Sequence, residues 1–442
     1  MNIPIKRQDY LDKEIYEIIS LVEVTDFSTI KKVDYVPFDE DDDIIDLSDK
    51  VIGPFITTEK LGSEIVSIKH CDEKHYRELK NEVYKRYEKF IDSVYKTSEI
   101  HSLVSRKFLY DLVFRYLIKS HSENRTEGNF SDFLVDNIEK EIKEYKIYFS
   151  VENLEIFKPL KIGKVEISKL ESNLFIEDNV RQNAESVSQF NKKYRRKVFA
   201  SCLIRAEKER AIELALKECS LSIDIIKICS DTIDDPKTKI SFDIDSRLSE
   251  SFSAETLVSN INKQNDVNII SRRIPNYHQL TEDYRQRLSM RNLDFFNSFL
   301  NRLSEENTEL QNLIINAIKR LAKALTTTNL NQRIVELFTV MESLLVPNSH
   351  ANILESLTRY CSKIVHSKRE DRISLINLIK KMYEIRSLYV HHALEKDFEI
   401  EDLRNLQVIV QCLIGKLIEK SFINKQKSEI LKEIDDAILD AY

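Results

Sequence analysis

Residues 371–393 read DRISLINLIKKMYEIRSLYVHHA. Apolar side chains return every three or four positions, at Ile376, Ile379, Met382, Tyr383 and Tyr389, the period of one face of an α-helix. The stretch therefore predicts a long helix, with Asp371 placed to cap its N-terminus. Arg386 stands inside the apolar stripe, and His391 and His392 stand side by side at its end. The flanking sequence keeps the same period. It predicts helices over 281–304, 306–326, 329–346, 350–366, 371–393, 400–422 and 424–440, with Pro347 ending the third. Together these describe an all-α bundle with short connections. The last helix carries Ile430, Leu431, Ile434 and Ile438 on one side. It is expected to pack on the bundle, a partner-binding tail being the alternative.

Upstream of residue 281 the pattern changes. Val198–Arg205 reads as a strand leading into a helix from Ala206 to Cys229, with Ala211, Leu214, Ala215, Cys219 and Leu221 on or near one face. Tyr145–Val151 and Ile162–Ser168 alternate in part, with Pro159 between them. Residues 149–280 are therefore read as an α/β domain. From 73 to 148 the period is helical again. Tyr84, Tyr87, Phe90, Ile91 and Tyr95 form one stripe, and Leu109, Leu112, Val113, Tyr116 and Leu117 another. Both are expected in the core, with a turn at 122–129. Residues 1–72 look irregular or β-containing. The expected class is α+β, predominantly helical: an N-terminal mixed, largely helical region (1–148), a central α/β domain (149–280) and a C-terminal all-α helical bundle (281–442).

Composition narrows the function. Of 442 residues, 42% are hydrophobic and 32% charged, as in a globular protein with ample core. No apolar run approaches the roughly 18 residues of a membrane span. The first twenty residues lack an apolar signal core, so a cytoplasmic location is expected. The six cysteines, Cys71, Cys202, Cys219, Cys229, Cys361 and Cys412, form no CxxC pair and are expected reduced and mostly buried. Only five glycines occur, at 53, 62, 128, 163 and 415. That spacing rules out a GxGxxG fingerprint, a Walker loop and a GxSxG elbow. A net charge of -7 argues against a general nucleic-acid coat protein, so any RNA contact must be a local patch or cleft. The acidic run Asp39–Asp46 reads as a solvated loop. His70, Cys71 and His75 lack a recognisable fourth zinc ligand. No metal or other cofactor is expected.

Three places could carry chemistry. Arginine grips phosphate through parallel hydrogen bonds, and histidine exchanges protons near neutral pH. Arg386 with His391 or His392 is thus the minimum set for metal-free cleavage of a phosphodiester. On an ideal helix, however, Arg386 and His391 stand about 140° apart. Convergence would need a kink or a second chain. Glu342 sits in Val340-Met-Glu-Ser-Leu-Leu345 among apolar neighbours, and a carboxylate there wants a partner. Arg386 is the candidate, and the pair would orient the guanidinium. Lys192-Lys193-Tyr194-Arg195-Arg196-Lys197 sets five cations around one tyrosine. It reads as a solvated basic turn or as an RNA-backbone contact with Tyr194 stacking on a base. Arg272-Arg273 and Lys319-Arg320 with Lys323 are weaker versions.

The C-terminal bundle resembles an Apea-like HEPN domain. The resemblance lies in Phe338-Thr-Val-Met-Glu342-Ser-Leu-Leu345 followed by Met382-Tyr-Glu-Ile-Arg386-Ser-Leu-Tyr-Val-His391. These match that family's "ALESLL" helix and its Arg-x4–6-His helix, and His392 fits the spacing as well. Ser387 occupies the polar position that commonly follows the arginine. The likeness covers about the last 140 residues. It departs where the family often has glycine after the histidine, since here His392 is followed by Ala393. The resemblance implies a metal-independent endoribonuclease, dimeric through the bundle, acting as a toxin or antiphage effector. Arg386, His391, His392 and Glu342 would form its catalytic set, and Ser387 and the 192–196 run would help bind an RNA such as a tRNA. The N-terminal regions would bind a trigger or inhibitor. Three alternatives stay open: a non-catalytic HEPN module for dimerisation or RNA binding, a regulator linked to a nucleotidyltransferase, and a transcriptional or signalling regulator.

Overall fold

The computed structural model describes residues 5–26, 55–61, 64–71, 75–123, 129–154, 156, 158–170, 194, 197–238, 242–244, 254–260, 267–272, 292–304, 306–347 and 351–439, some strands by their backbone alone. The acidic run 39–46 and most of the expected turn at 122–129 lie outside them. The chain divides into two compact units, Met1–Tyr145 with Arg205–Glu213, and Lys146–Ile204 with Leu214–Tyr442. The strands after Tyr145 and the C-terminal helices belong to the same unit.

The first unit is helical with a small sheet. Helix α1 (Ile5–Ile19) occupies a segment expected to be irregular or β. Its Leu11, Ile15, Ile18 and Ile19 recur at helical spacing and are buried. They pack with α2 (Asn81–Tyr95), α4 (Arg106–Ser122) and α5 (Phe130–Glu141), while α3 (Ser98–Leu103) is a single short helix. Tyr84, Tyr87, Phe90 and Ile91 are buried, as are Leu109, Leu112, Val113, Tyr116 and Leu117, so both expected stripes face the core. The hydroxyls of Tyr16 and Tyr116 meet at 2.6 Å across that core. Four antiparallel strands complete the unit in the order β1 (Glu23–Asp26), β4 (His75–Lys80), β3 (Glu64–Cys71), β2 (Phe55–Leu61).

The other sheet has seven strands: β5 (Lys143–Glu152), β6 (Leu160–Ile162), β7 (Val165–Lys169), β8 (Val198–Ala206), β9 (Asp243–Ile244), β10 (Ala254–Asn260) and β11 (Val267–Arg272). Their order is β11-β10-β5-β8-β7-β6, with β9 on β5. The β10–β11, β5–β9, β6–β7 and β7–β8 ladders are antiparallel, in keeping with the expected α+β class. Ile162–Ser168 is likewise a hairpin, because Gly163 turns the chain at φ +58°. That backbone angle favours glycine, and the Gly163 amide donates to Asn297 Oδ1 at 2.8 Å. Helix α6 (Lys208–Ile228) follows β8, as the sequence predicts. Its buried Lys227 reaches Asp243 of β9 at 2.6 Å and Asp224 at 3.6 Å.

The bundle comprises α7 (Leu293–Arg302), α8 (Glu309–Thr326), α9 (Leu330–Leu345), α10 (Ile353–Val365), α11 (Arg369–His392), α12 (Ile400–Lys420) and α13 (Lys427–Leu439). Their starts follow capping chemistry. Thr308 and Gln311 form a capping box, and Asn329 and Asn352 cap α9 and α10. Asp371 is not the cap of α11. The helix begins two residues earlier, and Asp371 lies in its first turn, where a carboxylate still favours the helix dipole. The buried stripe of α11 is Leu375, Ile379, Met382 and Ile385, with Ile376, Tyr383 and Tyr389 only half-buried. Helix α13 packs on α9 and α10. Its Lys427 donates to the Ser343 and Val346 carbonyls at the end of α9 (3.3 and 2.8 Å), and burial holds its amine below the ordinary lysine range.

A buried guanidinium joins the bundle to the turn after α6. Arg333 donates through Nε and Nη2 to the Thr327 carbonyl (3.1 and 2.7 Å) and through Nη1 to the Pro236 carbonyl (2.8 Å) and Gln407 Oε1 (3.2 Å). Gln407 in turn donates to the Thr232 and Ile233 carbonyls at 2.8 and 3.1 Å, and Gln411 to the Ile228 carbonyl at 2.8 Å. No carboxylate among the described residues pairs with Arg333, and burial lowers it to about 10. Removing one member strands the others, and a buried unsatisfied group costs about 1–3 kcal/mol. Gln407→Leu should therefore lower stability by roughly 2–3 kcal/mol. Urea unfolding should show it as a lower midpoint at unchanged slope.

Candidate functional site

Helices α9 and α11 pack so that two pairs of side chains stack one helical turn apart. In the deeper pair, the buried Phe338 ring meets the Tyr383 ring edge-on, centroids 5.3 Å apart. Four residues on in α9 and three on in α11, Glu342 Oε1 accepts from Arg386 Nη2 at 3.1 Å. Residues at those spacings share a helix face, so the first contact sets up the second. The pair expected from the sequence thus forms, at the inner edge of the bundle surface. The side chains are 15% exposed for Arg386 and 22% for Glu342. Burial raises the Glu342 carboxyl above its ordinary value, and the Arg386 charge opposes that shift.

Arg386 is only partly satisfied. Its guanidinium carbon lies 5.4 Å from the centre of the Tyr383 ring, a cation–π distance. Its Nε is buried and meets no acceptor among the described residues. The bond to Glu342 is single, not the two-pronged fork that a carboxylate can offer arginine. The guanidinium is therefore oriented by one carboxylate and one ring, with donors left for an anion. The sequence marks Tyr383 only as a core residue. Its place three residues before the arginine was the signal for this second role.

The histidines lie elsewhere on the same helix. Helix α11 runs unbroken from Arg369 to His392, and His391 and His392 are both exposed in its last turn. With ideal geometry they stand about 140° and 120° around the axis from Arg386. One chain therefore does not gather arginine and histidine on one face, and the helix does not break to do so. Ser387 is half-buried beside Arg386 and makes no side-chain hydrogen bond among the described residues. Ala393 then ends the helix in the left-handed conformation, at φ 51°, with its amide on the Tyr389 carbonyl at 3.1 Å.

The basic run contributes less than expected. Tyr194 is 2% exposed, and its ring packs edge-on against Phe199 at 5.9 Å. It is a core residue, so the expected stacking platform for a base is corrected. Lys197 is bound to Glu152. Lys192, Lys193, Arg195 and Arg196 lie outside the described residues. Of the weaker clusters, Lys323 pairs with Glu336 at 3.2 Å. His70, Cys71 and His75 lie in β3 and β4, with their side chains outside the described set. No group of three potential metal ligands occurs among the described residues. Cys202, Cys219, Cys229 and Cys361 are free and buried, and Cys412 is free and exposed. No described helix is long and apolar enough to cross a membrane.

Two measurements probe this local design. Ala393→Gly relieves the left-handed backbone at the helix end and should stabilise the protein by about 1 kcal/mol in urea unfolding. The raised Glu342 carboxyl means that the folded state holds this proton more tightly than the unfolded state does. The associated stabilisation is full below about pH 4.5 and is lost as pH rises through the folded value. Glu342→Gln should flatten that downward step when urea midpoints are followed across pH. Compared with protein-family models, with curated proteins and with solved structures, the chain matches none.

Proposed function

We propose that the chain is a metal-independent endoribonuclease of HEPN type, working in the cytoplasm as a toxin or antiphage effector. The observation that carries the reading is the half-committed Arg386 guanidinium, held by Glu342 and Tyr383 on the helix that ends in His391-His392. On this reading one histidine takes the proton of a ribose 2′-hydroxyl. The 2′-oxygen bonds to phosphorus, the bond from phosphorus to the 5′-oxygen breaks, and a second proton donor protonates the leaving oxygen. The products are a 2′,3′-cyclic phosphate and a 5′-hydroxyl. Arg386 binds the phosphate and the charge it gains in the transition state. DNA lacks the nucleophile and is spared.

The unbroken helix makes the second chain part of this proposal. Two copies joined through the bundle would supply Arg386 and histidine to one cleft from opposite sides. Residues 1–148 and 149–280 would then sense the trigger or restrain the 281–442 bundle. A second reading has a specific observation in its favour: Glu342 already pairs with Arg386, as a purely structural arginine would require. In that case the bundle dimerises or binds RNA without cutting it.

Expression in cells separates the two. Wild type should arrest growth and leave RNA ending in cyclic phosphate, and the Arg386→Ala/His391→Ala/His392→Ala triple variant should do neither. In vitro, Arg386→Ala should slow cleavage by about 10²–10³-fold, and loss of the working histidine by about 10²–10⁴-fold. Cleavage by the triple variant at the wild-type rate would overturn the nuclease reading. Dimerisation without cleavage by wild type would select the second.

A further inference from the structure

Two histidines end α11, and burial around the helix tells them apart. From Arg386, an ideal helix puts His391 about 140° round in one sense and His392 about 120° round in the other. On the way to His392 lie Met382, Tyr389 and Ile385, at about 40°, 60° and 100°. Met382 and Ile385 are 0% and 2% exposed and belong to the stripe that packs the helix into the bundle. Tyr389 between them is half-buried. On the way to His391 lie Val390, Tyr383 and Ser387, again at about 40°, 60° and 100°. Val390 is 45% exposed, and Tyr383 and Ser387 are half-buried. Neither of their hydroxyls makes a hydrogen bond among the described residues.

Arg386 is therefore joined to His391 by an accessible flank and separated from His392 by the core stripe. Tyr383, Ser387 and His391 also follow one another at spacings of four, so they stack along that flank in steps of about 6 Å. A phosphate held by Arg386 must lie where a histidine can reach the neighbouring 2′-hydroxyl. A cleft shared by two copies keeps this requirement. In a two-fold arrangement each helix turns the same surface to the axis, so the arginine and the working histidine must open on one side. Only the flank with Val390 and Ser387 offers that.

We propose that His391, rather than His392, exchanges the proton, and that Ser387 donates to the RNA strand between it and Arg386. The inference rests on the ribonuclease reading of Arg386. His391 of one copy accepts the 2′-hydroxyl proton as that oxygen bonds to phosphorus, and the same residue of the second copy gives a proton to the departing 5′-oxygen. The test follows cleavage of a labelled RNA oligonucleotide by the full-length chain. His391→Ala should slow cleavage by about 10²–10⁴-fold, far more than His392→Ala does. Free imidazole should return part of the rate to His391→Ala alone, which a merely structural loss would not allow. Ser387→Ala should raise KM about fivefold with little change in kcat, the effect of one hydrogen bond made equally in ground and transition states. Ser387→Thr should restore it. Urea midpoints equal to that of wild type separate these effects from misfolding. A loss from His392→Ala as large as that from His391→Ala, no rescue by imidazole, or an unchanged KM in Ser387→Ala overturns the assignment and leaves the nuclease reading standing. If wild type does not cut the RNA, the nuclease reading falls and the assignment falls with it.

Discussion

The C-terminal unit depends on a cation buried without a counter-ion. Arg333 has no carboxylate partner among the described residues and donates to two carbonyls and the oxygen of a glutamine amide. A guanidinium in that setting stays charged only if nearly every donor is used, so its surroundings have little freedom. The loop before α9, the turn at Pro236 and Gln407 of α12 must all stay where they are. Gln407 passes the demand on to Thr232 and Ile233, and Gln411 passes it to the end of α6. Arg333 lies near the start of α9, and Glu342 lies nine residues later on the same rigid rod. The register that satisfies the buried cation therefore also sets where the site carboxylate emerges.

From Glu342 outward the logic reverses. The interior demands that polar groups be satisfied, yet the site leaves one donor-rich group short. Arg386 has one bond, one ring beneath it and a buried Nε without an acceptor among the described residues. Pairing it with a carboxylate that burial pushes towards neutrality weakens the pair further. A weak partner orients the guanidinium without saturating it. The same single bond at full exposure would make an ordinary surface ion pair of small energetic weight.

Much of this was legible from periodicity, and the failures have physical causes. The bundle helices and the Glu342–Arg386 contact could be read because apolar residues at spacings of three and four mark one face. An acid and a base each falling inside such a face demand a partner. Helix α1 escaped because its four buried residues span barely two turns and are surrounded by charge. Gly163 looked like an interruption within a strand, but its positive φ makes it the turn of a hairpin. Tyr194 lay among five cations, and charge in the sequence suggested a surface. Its ring is nonetheless in the core against Phe199, because a tyrosine has an apolar body to bury whatever the charge of its sequence neighbours.

The arginine–histidine spacing is informative in a different way. Five or six residues along a helix is a poor distance for two groups meant to act together in one chain, because it turns them away from each other. Spacings of three, four or seven would serve that purpose. A pattern that keeps both residues on one helix but on different faces makes sense if each face meets a different partner. In α11 the inward face holds Arg386 against Glu342, and the last turn presents His391 and His392 to solvent next to exposed Val390 and Leu394. Histidines grouped with exposed apolar side chains at a helix end suit an interface better than a solvated terminus. A unit arranged this way would hold the phosphate-binding half of a site in one chain and expose the proton-transferring half to another. On the ribonuclease reading proposed above, association would control activity, because neither half alone supplies both the charge and the proton.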